Sequence, residues 1–246
     1  MYLGLNLTRN PIEICFMKEG SRYGETEIDG RDGFWRVKHE SIVLEQLLSA
    51  NVKVPQVYEK FTIDNHFYII TEYIQGENLQ NILTKRVSLN KALYYCLEIA
   101  KLLNDVHLAG WIWRDCKPAN LIMSKSGFVP VDFEGACRID EPDRHQWGTN
   151  GYLAPETFRE NYVSNTSQDL YALGATFYQI FSGQVPSVGP KKPLGKLRYR
   201  IPVKIRHVIE MLLDADPSTR PNLNFVIDIF GEEYKKNAQT PFRRFR

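Results

Sequence analysis

Asp115, Lys117, Asn120 and Asp132 are the residues whose types and spacing suit phosphate chemistry. They lie in two short loops on either side of an apolar segment. Asn120 to Met123, the turn Ser124-Lys125-Ser126-Gly127 and the run Phe128 to Val131 read as a hairpin. A hairpin brings its two ends together, so the four side chains are expected to converge. An Asn beside an Asp suits a hard, oxygen-preferring cation such as Mg²⁺. A free Asp next to them can orient a hydroxyl and take its proton, and a Lys can neutralise a phosphoryl oxygen.

The elements that must hold these loops are legible in outline. Met1 to Leu7 can form a strand, which Asn10-Pro11 breaks. Ile12 to Lys18 reads as a second strand ending at Lys18. Gly20, Gly24, Gly30 and Gly33 read as a flexible connection, since their spacing is not G-x-G-x-x-G. Phe34 to Leu48 is an amphipathic helix. Phe34, Val37, Ile42, Val43, Leu44, Leu47 and Leu48 recur at near-helical spacing, and the helix carries Glu40 and a solvent-facing Glu45. Pro55 to Phe61 and His66 to Tyr73 read as strands across a turn at Asp64-Asn65. Leu89 to Leu108 is a long helix with Leu93, Cys96, Leu97, Ala100, Leu103 and Leu108 on one side, stopped by Gly110. Asp169 to Phe181 is apolar nearly all round, which marks a buried helix.

Composition narrows the classes. The 246 residues are 43% hydrophobic and 24% charged, as in ordinary globular chains with a sizeable core. A net charge of +2 gives no sign of a nucleic-acid partner. Cys15, Cys96, Cys116 and Cys137 are scattered with no C-x-x-C pair. That is neither a disulfide framework nor a zinc pattern, and it suits a reducing cytosol. No run approaches the ~18 apolar residues of a membrane span, so a cytoplasmic location with no membrane partner is expected. Two basic stretches, Lys191 to Arg206 and Arg243-Arg244-Phe245-Arg246, read as solvated faces, with docking of an acidic peptide or partner as the second reading.

The two loops resemble a known family. Asp115, Lys117 and Asn120 fit the protein-kinase pattern H-R-D-x-x-x-x-N, and Asp132-Phe133 fits D-F-G, with Trp113 in place of the His and Glu134 in place of the Gly. Two such loops, in order and at this separation, outweigh an ordinary charged surface hairpin. Gly148-Thr149-Asn150-Gly151-Tyr152-Leu153-Ala154-Pro155-Glu156 is similar to the Gly-Thr-x-Gly-Tyr run and A-P-E element of Ser/Thr kinases. Asp216 to Pro221 resembles the signature whose Arg, here Arg220, pairs with Glu156. The resemblance implies an α+β, two-lobed kinase-like fold. Residues 1–74 would be a partial N-lobe ending in the hinge, and 75–246 the helical C-lobe.

It also implies ATP and Mg²⁺, and it assigns roles. Asp115 would position the substrate hydroxyl and accept its proton, and Lys117 would steady the transferring phosphoryl. Asn120 and Asp132 would hold Mg²⁺. Lys18, fixed by Glu40, would clamp the ATP phosphates. Thr71 would sit behind the purine, backbone groups near Glu72 and Ile74 would bond the adenine edge, and Asn78 would lie near the ribose. Asp169 would brace the backbone of the catalytic loop. Between Phe133 and Gly148 there is no Ser, Thr or Tyr. One of Asp140, Glu141 and Asp143 is therefore expected to give Arg114 a fixed charge where many kinases use a phosphate.

The local flavour is closer still to the kinase domain of bacterial class III and IV lanthipeptide synthetases. That resemblance rests on Phe16-Met17-Lys18-Glu19, Gly30-Arg31-Asp32 and Asp132-Phe133-Glu134. It implies a Ser/Thr-containing precursor peptide as substrate, with lyase and cyclase activities on companion domains or subunits. Those do not fit in 246 residues, so a fragment, a split subunit or a stand-alone relative is expected. Met1 to Leu7 leaves room for one strand before the Lys18 strand, where kinases place two joined by a glycine-rich loop. A second reading of another class follows from this: a pseudokinase or nucleotide-binding regulatory module. A third, a small-molecule phosphotransferase, is disfavoured by Gly148 to Glu156 and by Arg220.

Overall fold

The computed structural model describes residues 1–8, 10–22, 30–186, 193–197 and 201–239. Strands β1 (Tyr2–Asn6), β2 (Glu13–Ser21), β3 (Val57–Ile63) and β4 (His66–Glu72) form an antiparallel sheet in the order β1-β2-β4-β3. Helix α1 (Gly33–Ser49) packs on it. Asp32 caps the helix by accepting the Trp35 N–H at 2.7 Å. A cap of this kind is worth about 1 kcal/mol.

Two strand boundaries differ from the sequence reading. Lys18 does not end β2. Pairing with β4 runs on to Ser21 opposite His66, so Lys18 lies within the ladder opposite Ile69. The second shift is in β3, which begins two residues later than Pro55 and ends two later than Phe61. Asp64 and Asn65 both take left-handed backbone (φ 46° and 66°) and make a two-residue turn. Such a turn pairs the residues on either side of it, here Ile63 with His66, so the strand must reach the turn.

Gly20 is likewise strand rather than connection. A Cβ there would overlap the Gly33 carbonyl and crowd Val37. The glycine lets β2 and the first turn of α1 touch, and Gly33 is already helical. Phe16, Lys18 and Gly20 share one face of β2 by its period of two, while Gly33, Val37, Glu40 and Leu44 share one face of α1. The close approach at Gly20 therefore presents Lys18 to Glu40 two residues up the strand. Gly20→Ala is expected to push the helix off the strand. We expect it to lower stability by about 1–3 kcal/mol, as overpacking does, and to weaken nucleotide binding, read by thermal melting and calorimetric titration of Mg-ADP.

The remaining part is mainly helical. A small sheet, β5 (Gly76–Asn78), β7 (Leu121–Ser124) and β8 (Gly127–Pro130), lies beside the short α2 (Leu79–Ile82) and the long α3 (Leu89–Leu108). β6 (Trp111–Ile112) pairs with β9 (Cys137–Arg138). α4 (Thr166–Ser182), α5 (Leu194–Leu197), α6 (Val203–Leu212) and α7 (Leu223–Gln239) complete the part. Every residue of α4 from Gln168 to Phe181 is buried, as its all-round apolar sequence required. Phe177 meets Phe230 of α7 with ring centres 4.9 Å apart.

Ser88 caps α3, and the helix ends at Leu108, before Gly110 at φ 85°. Leu93, Cys96, Leu97, Ala100 and Leu103 are buried as expected, but Leu108 is 79% exposed because it sits on the last turn. On α1, Ile42 is also exposed, lying across the helix from Glu40 and Leu44. Glu45 does face solvent, where Lys60 pairs with it at 2.7 Å. No helix among the described residues is long and apolar enough to cross a membrane. Gly24, Lys191, Lys192, Arg198, Arg200 and Arg243 to Arg246 lie outside the described residues. Within the first basic stretch, Lys196 is exposed, and Lys204 approaches Glu232 at 3.6 Å.

Candidate active site

The catalytic loop begins where β6 ends. Arg114 stands in left-handed backbone, φ 71°, a conformation costly for a bulky residue. Asp169, fully buried on α4, holds it there by accepting the Trp113 N–H at 2.8 Å and the Arg114 N–H at 2.7 Å. The expected bracing role is thus met by two backbone bonds. His107 of α3 lies 2.8 Å from the same carboxylate.

Beyond this turn the loop converges on Asp115. Lys117 donates to its Oδ2 at 2.6 Å, and Asn120 donates to the same oxygen at 2.9 Å. Thr149 donates to Oδ1 at 2.9 Å and accepts from Lys117 at 2.6 Å. Both hydrogen bonds of the Asn120 amide nitrogen go to Asp115, which leaves its amide oxygen for another ligand. The hairpin β7–β8 then turns at Lys125-Ser126 and returns the chain to Asp132, with the Val131 N–H bonded to the Asn120 carbonyl at 2.9 Å. That bond ties the two loops together, as the hairpin reading expected. Asn120 and Asp132 line the same cavity and offer oxygen donors of the kind a magnesium ion takes.

Trp113 and Glu134, the two departures from the family motif, each have a structural reason. Trp113 is fully buried, stacks on Phe133 with ring centres 5.3 Å apart, and donates its indole N–H to the Asp132 carbonyl at 3.1 Å. It therefore supplies a donor and a flat ring to the Asp132 turn, whose backbone is left-handed at φ 67°. Glu134 reaches into the cavity and meets Lys18 Nζ at 2.7 Å.

Lys18 sits among three carboxylates. Glu40 is 2.8 Å away, Glu134 2.7 Å and Asp132 3.3 Å. Burial alone would depress the Lys18 ammonium, but Glu40, Asp132 and Glu134 outweigh it and push it well up, so it stays charged. Glu40 is itself fixed, since its second oxygen accepts the buried Phe133 N–H at 3.0 Å. One cavity of about 590 Å³ joins these groups to Thr71, Glu72, Ile74 and Asn78. Thr71 is buried at its back. Glu72 is tied to Gln56, its N–H donating to the Gln56 carbonyl at 2.8 Å. Asn78 also lines the cavity. It caps α2 through Gln80 N–H at 2.9 Å and donates to the Ala119 carbonyl.

The segment after β9 is anchored by charge. Of the three acidic candidates, Asp143 is the one that meets Arg114, at 3.0 Å, and it also takes Arg31 at 2.5 Å. Asp140 instead pairs with Arg138 at 2.9 Å. Arg114 is completed by the carbonyls of Gly135, at 3.0 Å, and His145. Burial would raise the Asp143 carboxyl, but the His145 N–H and the two guanidiniums hold it down at about 2. A carboxyl depressed from 3.8 contributes its stability above that value and loses it as pH falls towards 2. A phosphate in the same place would titrate near pH 6. Order in this segment is therefore expected to be flat from about pH 5 to 8. Asp143→Asn is expected to lower phosphoryl transfer by about tenfold or more, the loss of one charged hydrogen-bond pair, and to expose the segment to limited proteolysis.

Downstream, Glu156 and Arg220 meet in a buried bidentate pair at 2.5 and 2.7 Å. Thr149, Glu134 and Arg31 are the residues with no assigned site role in the sequence reading that the structure brings to the site. The first belongs to a run quoted only as a family signature. The second was visible only as a carboxylate where the motif has Gly.

The sequence is similar to that of known proteins. A family model described as "Protein kinase domain" matches residues 21–229. Serine/threonine-protein kinase D of Synechocystis is 32% identical over 198 residues, covering 74% of this chain and 38% of that protein. Serine/threonine-protein kinase PknA of Mycobacterium tuberculosis is 32% identical over 62% of this chain and 39% of its own. Serine/threonine-protein kinase PDK1 of Cryptococcus neoformans is 28% identical over 77% of this chain and 17% of its own. The chain thus spans less than two fifths of the length of these curated relatives. The matched residues take in the elements from α1 to α6, beginning at the last residue of β2, beyond Lys18, and ending within α7, and the chain belongs to the protein kinase domain family.

Proposed function

We propose that this chain transfers the γ-phosphoryl group of ATP to a Ser or Thr hydroxyl of a protein or peptide. The observation that carries the reading is that the Lys18–Glu40 pair, Asn120 and Asp132 line one cavity, with Asp115 hydrogen-bonded to Asn120 and Lys117 to Asp115 beside it. Asp115 would take the substrate hydroxyl where Thr149 now donates, orient it and accept its proton. Lys117, beside the same carboxylate, would meet the charge developing on the transferring phosphoryl. Lys18 would hold the remaining phosphates. Magnesium bound between Asn120 and Asp132 would neutralise phosphate charge. Thr71, Glu72 and Ile74 would form the adenine end, with Asn78 shaping its edge by holding the Ala119 backbone. Positioning and charge neutralisation would carry most of the rate enhancement.

Ser/Thr acceptors are supported by the Gly148-Thr149 run, since Thr149 bridges Asp115 and Lys117, and by the names of the relatives. A pseudokinase reading, which rests on the missing glycine-rich loop, is not favoured, because Lys18, Glu40, Asp115, Lys117, Asn120 and Asp132 are all present. The finer substrate reading, a lanthipeptide-type precursor with companion lyase and cyclase activities, rests on the residue resemblance at Phe16 to Glu19, Gly30 to Asp32 and Asp132 to Glu134 alone. A competition assay tests the acceptor class. With Mg-ATP, a Ser/Thr peptide mixture should be labelled in preference to a Tyr peptide or an aminoglycoside. Preferred labelling of either of the latter would overturn this reading.

A further inference from the structure

An ammonium group has three hydrogens to donate, and around Lys18 three carboxylates stand ready to take them: Glu134 at 2.7 Å, Glu40 at 2.8 Å and Asp132 at 3.3 Å. No donor is left for a phosphate. A nucleotide that uses Lys18 must displace one of the three. Glu40 is the poorest candidate to leave. Its side chain is 6% exposed, and its other oxygen is engaged by the buried Phe133 N–H. Asp132 is the longest of the three contacts and the most exposed, and in the nucleotide reading its carboxylate turns to magnesium, which frees one Lys18 donor. Glu134 is 21% exposed, lines the open cavity, and has no second partner among the described residues.

We infer that Glu134 is a positioning residue that occupies a phosphate place on Lys18 in the empty site and competes for it with an incoming nucleotide, beyond the one donor that Asp132 frees by turning to magnesium. The inference rests on the nucleotide reading given above. It adds that this chain binds ATP less tightly than its Lys18–Glu40 geometry would allow, because a carboxylate competes with the phosphates for the same cation. Once the nucleotide is seated, Glu134 no longer touches Lys18, so the competition should act on binding and not on the chemical step.

The test is calorimetric titration of Mg-ADP into the wild-type chain, Glu134→Gln, Glu134→Asp and Glu134→Gly, with a thermal melt of each. Glu134→Gln should bind about tenfold tighter, on the scale of one charged hydrogen bond. Glu134→Gly should move the same way, and Glu134→Asp, which keeps the charge, should stay near wild type. In steady state, KM for ATP should fall in Glu134→Gln while kcat stays within about threefold, the split expected when ground-state and transition-state binding change alike. Equal or weaker Mg-ADP binding in both Glu134→Gln and Glu134→Gly would overturn the inference while leaving the nucleotide reading intact. A wild-type chain that binds no Mg-ADP would overturn that reading and this inference with it.

Discussion

Asp115→Ala is expected to lower phosphoryl transfer at least about 10²-fold, the lower end of what a positioned general base contributes. Affinity for Mg-ATP should change little, because Asp115 is not among the residues that line the cavity with Lys18, Thr71 and Glu72. The distinction matters because Asp115 also has a structural load. Lys117, Asn120 and Thr149 all donate to it, and removing the carboxylate leaves those donors to find water. Asp115→Asn keeps the shape and removes the charge, so it should show the same loss of transfer with a smaller change in melting temperature. Steady-state kinetics beside melting curves for both variants check this. A large loss of transfer that merely tracks unfolding would count against the assigned role.

The largest effect on stability is expected at Arg220. Its side chain has no exposed area, and it forms the bidentate pair with Glu156. It also donates to the Ser167 carbonyl at 2.8 Å and to the Asp214 carbonyl at 2.9 Å, and stacks over Tyr171. Arg220→Met leaves the Glu156 carboxylate buried without its cation. Breaking such a pair costs about 3–5 kcal/mol. For a chain of this size that is a fall in melting temperature on the order of 10 °C. Glu156→Gln should cost a similar amount, and the double variant Glu156→Gln with Arg220→Met much less than the sum, since one partner's loss already breaks the pair. The pair ties the segment after Thr149 to the loop before α7, so partial loss of Thr149 from Asp115 should accompany it.

Much of this site was legible because its chemistry is local in sequence. Asp115, Lys117, Asn120 and Asp132 sit on the two ends of one short hairpin, and hairpin geometry alone brings them together. Helices α3 and α4 were equally plain, one from its period and its Gly110 stop, the other from an apolar run with no polar face. What sequence could not show was contact across long separations. Lys18 looked like a strand end because the ladder that continues past it belongs to β4, some fifty residues on. Gly20 looked like loop because its need, room for the Gly33 carbonyl, exists only once α1 is packed. Asp143 was one of three equal acids until Arg31 and Arg114 selected it. Asn78 was read as a ribose contact, and sequence could not show that its side chain also caps α2 and donates to the Ala119 carbonyl. Glu134 was noticed only as a mismatch, since a motif records what a position usually holds and not what a carboxylate there would touch.

The central claim is that the loops around Asp115 and Asp132 form a working phosphotransfer site and not merely a nucleotide pocket. The most direct test is to follow the γ-phosphoryl of labelled Mg-ATP through the wild-type chain in the presence of a Ser/Thr-rich peptide mixture, with ADP release measured in parallel. The account predicts label on Ser or Thr side chains, of the peptide or of the chain itself, matched by stoichiometric ADP. Tight binding of Mg-ATP with no label on any hydroxyl and no ADP beyond background would contradict it.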